Sequence, residues 1–398
     1  MNIKIDTDIV CLTTDIIGIP SFMGLERQEE KVAEYILEFF RKHDIEAWSE
    51  EAAPGRPNVY AKLPGTGMGN SLMLCGHTDT VPAYDMKDAF SPRVTETPDG
   101  KDRIIYGRGA CDMKGALAAM MSAMVAIKNS GNKLSSDLYF AALADEEDMG
   151  IGVEKLVRDG PVCSAAIVGE PTGMNVALGH KGLEWIKIAV RGKKVHGGNM
   201  DAGVNAVVMA SKLIDHISSI YYPVLRERRH DILGHATINV GVVKGGDQPS
   251  TVPDYCEISL DRRYIPGESR EQVYRELDEI FGLLKQENPD FDAEILPYHI
   301  GNKKIVQSPF CTDAGSGIVL STLQALEELG IKNKEITSFP AWTDGGTINN
   351  YTDSEVIIMG PGELSLAHTV NESITDRELY EAADIYAMTA LKYCGTTE

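Results

Sequence analysis

Residues 138–150 read Leu-Tyr-Phe-Ala-Ala-Leu-Ala-Asp-Glu-Glu-Asp-Met-Gly. An apolar run of strand length ends here in four consecutive carboxylates, Asp145 to Asp148. Adjacent like charges raise one another's pKa and cost free energy unless a positive charge, most often a metal ion, compensates them. The stretch therefore predicts either a strand that ends at a divalent metal site or a strand that runs into a solvated acidic turn.

Strand-like and helix-like segments alternate on both sides of this stretch. The further segments predicted as strands are 58–63, 71–75, 165–169 and 355–359, and those predicted as helices are 26–43, 116–127, 317–329 and 376 onward. The alternation predicts an α/β fold with an open, mostly parallel sheet as the catalytic domain.

The pattern changes near Lys181. Strands are predicted at 183–190, 236–243, 255–260 and 293–296, with helices at 204–220 and 269–284. The order β-α-β-β-α-β is that of a ferredoxin-like α+β module. We expect an inserted second domain over 182–298, with the first domain formed by 1–181 and 299–398.

Length, charge and cysteine content limit the class of protein. A chain of 398 residues exceeds what one core usually serves. The 38 basic and 59 acidic residues give a net charge of −21, which argues against nucleic acid or an anionic membrane as partner. The seven scattered cysteines predict reduced thiols, and neither a signal pattern nor a membrane-spanning run occurs. We therefore expect a cytoplasmic protein.

Several potential metal ligands follow the predicted strands. In open α/β sheets, ligands bind beyond the carboxyl ends of the strands. Taken singly, these residues have simpler interpretations: His77 could cap a helix, Asp112 could be an N-cap, and Glu170 could lie in an exposed turn. Their joint occurrence at strand ends predicts a metal site. The residues concerned are His77, Asp112, Glu146, Glu147, Glu170 and His368.

Imidazole and carboxylate donors suit zinc, and they also accept cobalt or manganese. A carboxylate bridging two ions would hold them at the spacing of two-metal sites, which generate a hydroxide nucleophile. A further carboxylate must then serve as general base. The adjacent residues Glu146 and Glu147 can supply one ligand and one base, and either residue could take either role.

Five motifs now resemble the co-catalytic zinc peptidases and deacylases, a family that includes acetylornithine deacetylase, succinyl-diaminopimelate desuccinylase, aminoacylase and glutamate carboxypeptidase. The motifs occur in the family's order along the chain. They are His-Thr-Asp-Thr-Val-Pro at 77–82, Gly-Arg-Gly-Ala-Cys-Asp-Met-Lys-Gly at 107–115, Asp-Glu-Glu at 145–147, Val-Gly-Glu-Pro-Thr at 168–172 and Ala-His-Thr-Val-Asn-Glu at 367–372.

The resemblance implies two zinc ions per subunit and a role for each site residue. It implies that His77, Asp112 and Glu170 hold one zinc. Asp112, Glu147 and His368 would hold the other, with Asp112 bridging. Glu146 would be the general base, and the Asp79 carboxylate would orient His77.

The resemblance also implies that the inserted domain serves as a lid and forms a homodimer. His196 would reach the partner subunit's active site and stabilise an oxyanion, although it could instead be a surface-loop histidine. Asn239 would lie near the substrate, and Arg263 would bind the substrate's carboxylate. Arg262 beside it leaves the register open. Gly345 and Gly346 would lie in a substrate loop whose backbone N–H groups bind carboxylate.

The implied activity is removal of an acyl group from an N-acyl amino acid by a metal-bound hydroxide. The alternative is a dipeptidase or carboxypeptidase of the same family that acts on short peptides. Glu170, where aminopeptidase relatives tend to have Asp, favours the deacylase or carboxypeptidase. Departures from the family pattern at Gly197-Gly198 and Thr251 leave the substrate open. A non-catalytic binding protein is disfavoured because the ligand set is complete.

Overall fold

The computed structural model describes residues 3–297 and 306–397. The chain forms two compact units. The first unit combines Met1–His180 with Thr312–Glu398, and the second is Lys181–Cys311.

The end of the second unit differs from the predicted boundary. That boundary, between 298 and 299, lies outside the described residues. The second unit continues to Cys311. Gln307 is held against the strands of this unit, because its carbonyl oxygen accepts hydrogen bonds from the backbone N–H of Leu183 at 2.9 Å and from the hydroxyl of Tyr264 at 3.0 Å.

The first unit is built around an eight-stranded sheet. In spatial order its strands are Glu46–Ala53, Arg56–Leu63, Leu138–Leu143, Leu72–His77, Ala165–Pro171, Glu355–Gly360, Val176–Ala177 and Ile336–Thr337. The four strands from Leu138–Leu143 to Glu355–Gly360 are parallel to one another. Every residue of Leu72–His77 and Ala165–Pro171 is buried, as expected for parallel strands covered on both faces.

Helices cover this sheet, and short strands complete the unit. The helix Lys114–Asn129 is buried from Lys114 to Ile127 and packs against the C-terminal helix, so its mostly small and apolar sequence follows from burial all round. The helices are Ile9–Ile17, Glu30–Lys42, Lys114–Asn129, Ile151–Asp159, Gly317–Glu328, Asp344–Tyr351, the 3-10 turn Leu364–Leu366 and Asp376–Cys394. The short strands are Arg93–Glu96, Arg103–Tyr106, Lys133–Leu134, Gly179–His180, Ser373–Thr375 and Thr396–Thr397.

The second unit is a four-stranded antiparallel sheet with helices on one face. Its spatial order is Thr237–Gly245, Tyr255–Tyr264, Gly182–Arg191 and Asp292–Leu296. The helical segments are Gly197–Ala202, Ala206–His216, Ile217–Tyr221, Tyr222–Glu227 and Arg270–Glu287. The remaining short strands are Val195–His196, Arg229–His230, Gly234–His235, Thr251–Val252 and Phe310–Cys311.

These observations confirm the predicted fold class, an open, mostly parallel α/β sheet with an inserted ferredoxin-like module. Several elements were not predicted, among them two near the start of the chain. The helix Ile9–Ile17 spans only nine residues, which is short for a helical pattern to be recognised. The strand Glu46–Ala53 lies at the sheet edge and has no fully buried residue, so its sequence has no apolar run. In the described part of the chain, no helix is long and apolar enough to cross a membrane.

Candidate metal centre

The carboxyl ends of the parallel strands meet at one edge of the large sheet. His77 ends one of these strands, and Glu170 is the penultimate residue of its neighbour. Because the strands are parallel, residues that follow them are also delivered to this edge. The structure brings together all six residues that the sequence predicts for the metal site: His77, Asp112, Glu146, Glu147, Glu170 and His368.

Asp112 lies between the two imidazoles. Its Oδ1 is 3.1 Å from Nε2 of His77, and its Oδ2 is 3.2 Å from Nε2 of His368. Nε2 of His77 is also 3.9 Å from Glu170 Oε1, and Nε2 of His368 is 3.0 Å from Glu147 Oε1. Two donors bound to one zinc at tetrahedral geometry lie about 3.3 Å apart. Each oxygen of Asp112 thus lies at this distance from the nitrogen of a different imidazole, as expected for a carboxylate that would be shared by two ions.

Two overlapping groups of donor atoms could each hold an ion. One group is His77, Glu146 and Glu170, and the other is His77, Asp112 and Glu147, with the donor atoms of each group all within 4.8 Å of one another. Both adjacent glutamates therefore reach the cluster. Of the two glutamates, Glu147 is the one that forms a hydrogen bond with His368.

The charge balance of the cluster calls for cations. Burial raises the pKa of Glu146 and of Glu170 well above the usual range, and neighbouring carboxylates raise both further. Burial also opposes ionisation of Asp112, but hydrogen bonds with His368 and His77 hold its pKa below the usual value. Hydrogen bonds with Asp112 and Glu147 raise the pKa of His368 to about 10.

Two imidazoles cannot balance this many buried carboxylates, whereas divalent cations can. The mixture of imidazole nitrogen and carboxylate oxygen suits zinc, cobalt or manganese. The side chain of His368 is 47% exposed, so this part of the cluster is open to solvent. The residues present therefore fit divalent metal ions.

Asp79 supports the cluster in two ways. Its backbone carbonyl oxygen is 3.0 Å from Nδ1 of His77, and its carboxylate Oδ1 is 3.4 Å from the same nitrogen. The two carboxylate oxygens accept the backbone N–H groups of Glu146 at 3.1 Å and Glu147 at 3.0 Å. The contact from the carbonyl oxygen to His77 is shorter than the contact from the carboxylate. The carboxylate, which was predicted to orient the His77 ring, also holds the backbone of the two glutamates.

Asp145 is not part of the metal cluster, although it belongs to the acidic run. Its Oδ1 is 2.7 Å from Nη2 of Arg56, and Arg56 also pairs with the buried carboxylate of Glu29. Its Oδ2 accepts the N–H of Met149 at 3.2 Å, which closes the turn after the strand. An arginine thus compensates this member of the acidic run. Sequence reasoning missed Arg56 and Glu29 because both are distant in sequence and lie in no recognisable motif.

The predicted glycine loop at 343–346 is the start of a helix. The helix Asp344–Tyr351 has Thr343 as its N-cap, and the Thr343 hydroxyl accepts the N–H of Gly345 at 3.1 Å. The N–H of Gly346 donates to the carbonyl oxygen of Thr343 at 3.1 Å. Both N–H groups therefore have hydrogen-bond partners within this turn, and a substrate-binding role for Gly345 and Gly346 stays a prediction.

Within the second unit, the candidate substrate residues share one sheet face. Arg263 forms two hydrogen bonds with Asp261, at 2.8 and 3.1 Å, and Asn239 is the register partner of Asp261. Arg262 points to the opposite, helix-covered face, is fully buried and pairs with Glu268 at 2.5 Å. Because side chains alternate between the two faces of a strand, only one of the two adjacent arginines can face away from the helices. That residue is Arg263, which is partly exposed.

His196 lies at the end of a short strand in the second unit and is exposed. Its Nδ1 accepts the backbone N–H of Gly198 at 3.1 Å. In the neutral ring, Nε2 must then carry the proton and remain a donor.

The departures from the family pattern lie next to this histidine. His196 pairs with Thr251 across a two-stranded ladder, and the N–H of Gly197 donates to Ser250 O at 2.7 Å. A Cβ atom added at Gly197 would lie 3.0 Å from that same carbonyl oxygen. Glycine at 197 therefore fits a close backbone approach that a larger residue would strain.

Comparison with known proteins identifies the family. The model of peptidase family M20/M25/M40 matches residues 73–392. An acetylornithine deacetylase from Myxococcus xanthus is 30% identical over 356 residues, which cover 87% of this chain and 86% of the relative.

Solved structures agree in fold. An aminopeptidase PepT from Bacillus cereus ATCC 10987 superposes with a TM-score of 0.80 at 20% identity, covering 99% of this chain and all of the other. A Bacillus subtilis protein described as a dinuclear metal binding peptidase from the M20 family has a TM-score of 0.70 at 16% identity, covering 97% of this chain and 98% of the other. The predicted enzyme class, a hydrolase of amide bonds, is confirmed. The chain belongs to peptidase family M20/M25/M40.

Proposed function

We propose that this protein is a two-metal amidohydrolase that removes the acyl group from an N-acyl amino acid. The convergence of two imidazoles and four carboxylates at the carboxyl ends of the parallel strands carries the proposal. The similarity to an acetylornithine deacetylase over most of both chains favours an N-acyl amino acid as the substrate class.

The metal centre would use the five ligands in two sets. His77, Asp112 and Glu170 would hold one ion, and Asp112, Glu147 and His368 would hold the other. Divalent ions at this site would supply the charge that polarises an amide carbonyl and stabilises the negative charge that develops on its oxygen. Zinc is the proposed metal, with cobalt or manganese as possible substitutes.

Glu146 is the proposed general base. It takes a proton from the attacking water and delivers it to the leaving nitrogen, so that the amine departs neutral. The Asp79 carboxylate holds the backbone N–H of Glu146. The hydrogen bond between Glu147 and His368 favours Glu147 as the metal ligand and Glu146 as the base.

The second unit supplies the proposed substrate-recognition residues. Arg263 binds the carboxylate of the amino acid product through its planar fork, with Asn239 on the same sheet face. Asp261 holds the Nε and Nη2 side of the guanidinium in a bidentate pair, which orients it so that its Nη1 end would meet the substrate carboxylate. His196 donates from Nε2 to the developing oxyanion in the partner subunit's site, and its exposure and tautomer suit that role.

A peptidase is the second candidate, because the solved structure of an aminopeptidase superposes on nearly the whole chain. In that case the substrate would be a short peptide, cleaved by a dipeptidase or carboxypeptidase reaction. The same metal centre would serve both reactions, since each hydrolyses an amide.

Release of free amino acid from a substrate panel tests the choice. The zinc-loaded protein would be offered N-acetylornithine, N-succinyl-diaminopimelate, other N-acyl amino acids and free di- and tripeptides. The proposal expects turnover of an acylated compound with the peptides untouched. Turnover of peptides alone would establish the second candidate. A Glu146→Gln preparation purified in parallel controls for contaminating hydrolases.

We further propose a cytoplasmic homodimer that associates through the second unit. Neither nucleic acid nor membrane is proposed as a partner, given the net charge of −21. The seven cysteines are all free, which suits a reducing compartment.

A further inference from the structure

A buried ion pair in the first unit has no part in the proposed chemistry. Nη1 of Arg108 lies 2.5 Å from Oε2 of Glu372, and the two side chains are 1% and 0% exposed. Burying two charges is costly unless hydrogen bonds satisfy their remaining donors and acceptors. The hydrogen-bond partners of Arg108 and Glu372 therefore show which parts of the chain this ion pair holds in place.

Glu372 holds the loop that carries Asp112. Its Oε1 accepts the backbone N–H groups of Gly109 at 2.9 Å, Cys111 at 3.1 Å and Asp112 at 3.1 Å. Three N–H groups converging on one oxygen form an anion-binding nest. The nest needs a positive φ of 86° at Gly109, which glycine adopts without strain. One carboxylate oxygen thus fixes the backbone of the residue that lies between the two imidazoles.

Arg108 holds the segments that carry those imidazoles. Its Nε donates to the carbonyl oxygen of Pro82 at 3.2 Å, and its Nη2 donates to that of Ala83 at 3.4 Å. Its Nη1 also donates to the carbonyl oxygen of Thr369 at 3.4 Å. Pro82 and Ala83 follow His77 by a few residues, and Thr369 directly follows His368. The pair therefore connects three chain segments that are remote in sequence and that each contribute a candidate ligand.

We infer that Arg108 and Glu372 are positioning residues that set the relative placement of His77, Asp112 and His368, and thereby the affinity and coordination geometry of both metal ions. The inference rests on the proposed metal centre and extends it to two residues that touch neither metal nor substrate. Residues that orient metal ligands from behind typically change metal affinity about 10- to 100-fold when altered.

The test compares metal binding in Glu372→Gln with that in the wild-type protein. The amide keeps the size of the side chain but loses the charge that pairs with Arg108. We expect zinc affinity at both sites to fall about 10- to 100-fold in competition with a chelator. We also expect the visible absorption of the cobalt-loaded protein, which reports coordination geometry, to change at saturating cobalt.

Two further variants make the test specific. Arg108→Lys keeps the charge, but one ammonium cannot reach all four acceptors, so zinc affinity should again fall, by a smaller factor. The control, Glu268→Gln, removes a buried carboxylate that pairs with Arg262 in the second unit. It should lower thermal stability without changing zinc affinity or the cobalt spectrum.

The outcomes separate the two proposals. Folded Glu372→Gln protein with wild-type zinc affinity and cobalt spectrum would overturn the positioning role while leaving the metal centre in place. If that variant does not fold, unchanged zinc affinity in Arg108→Lys would overturn it equally. A wild-type protein that binds no divalent ion would instead refute the proposed function on which the inference rests.

Discussion

Glu146 and Glu147 are neighbours in sequence but have different surroundings. Oε1 of Glu147 lies 3.0 Å from His368 Nε2, whereas Glu146 groups with His77 and Glu170. Asp79 accepts the N–H of both, so the turn that presents them is held at one point. The sequence predicts that one is a ligand and the other a base. The hydrogen bond to His368 supports Glu147 as the ligand, and this contact depends on a residue more than two hundred positions away.

Replacing Glu146 by glutamine should remove the base without removing the metal. The amide has nearly the shape of the carboxylate but cannot accept the proton of the attacking water, so kcat should fall about 10²- to 10⁴-fold. Zinc content, measured by elemental analysis on the same sample, should stay at the wild-type value. Asp148→Asn, the adjacent carboxylate outside the candidate ligand set, is the matched control and should keep kcat within a few-fold. Substantial turnover by Glu146→Gln would exclude Glu146 as the base.

At the scale of elements, buried parallel strands were predictable and polar or short elements were not. The strand Leu138–Leu143 carries an unbroken apolar run because both of its faces are covered. The helix Asp344–Tyr351 contains two glycines in its first turn, which propensity disfavours, and Thr343 capping with tertiary packing overrides that preference. The clustering of the candidate metal ligands was predictable because these residues follow strand ends. The supporting residues Arg56 and Glu29 were not, because only the fold brings them near the acidic turn.

Arg56 joins three elements of the first unit. It lies at the start of the strand Arg56–Leu63, pairs with Glu29 at the start of the helix Glu30–Lys42, and pairs with Asp145 in the turn after Leu138–Leu143. Both carboxylates are almost completely buried. Removing the arginine would leave two buried acids without their cation, which is more costly than losing an exposed pair.

Arg56→Met should destabilise the protein by about 3 kcal/mol at pH 8, measured by urea unfolding. Burial raises the pKa of Glu29 to about 6 even with Arg56 present, and the pKa should rise further in the variant. In the folded variant, Glu29 is therefore fully charged, and its burial most destabilising, only well above pH 6. The destabilisation relative to wild type should shrink as pH falls towards 6 and Glu29 takes up a proton in both proteins. A stability difference that grows on acidification would contradict this assignment.

At the scale of the whole molecule, the second unit offers an edge strand for association. Thr237–Gly245 pairs with Tyr255–Tyr264 on one side, and within residues 3–297 and 306–397 no strand pairs with its other side. Val242 and Val243 on this strand are 39% and 48% exposed. An exposed apolar edge is a template for pairing with another chain. This supports the proposed homodimer, which the sequence suggests only through its family resemblance.

If the protein forms the proposed homodimer, Val243→Lys should convert it to a monomer, because a charge on an edge strand disfavours pairing with a second copy. Light scattering coupled to size exclusion measures the mass directly. Leu283→Lys is the control, since Leu283 is 50% exposed on the helix Arg270–Glu287, which contacts the strand Asp292–Leu296 at the opposite edge of the sheet. A wild-type protein that is a monomer at all concentrations, or a Val243→Lys protein that stays dimeric, would contradict this mode of association.

A two-metal centre is proposed for the residues His77, Asp112, Glu147, Glu170 and His368. Its most direct test is the number of zinc ions retained per chain after dialysis of the zinc-loaded protein, in wild type and in Asp112→Asn. We expect two ions per wild-type chain and fewer than one in the variant, because Asp112 would be shared by both ions. A wild-type chain that retains no stoichiometric zinc, or an Asp112→Asn chain that retains two ions, would contradict it.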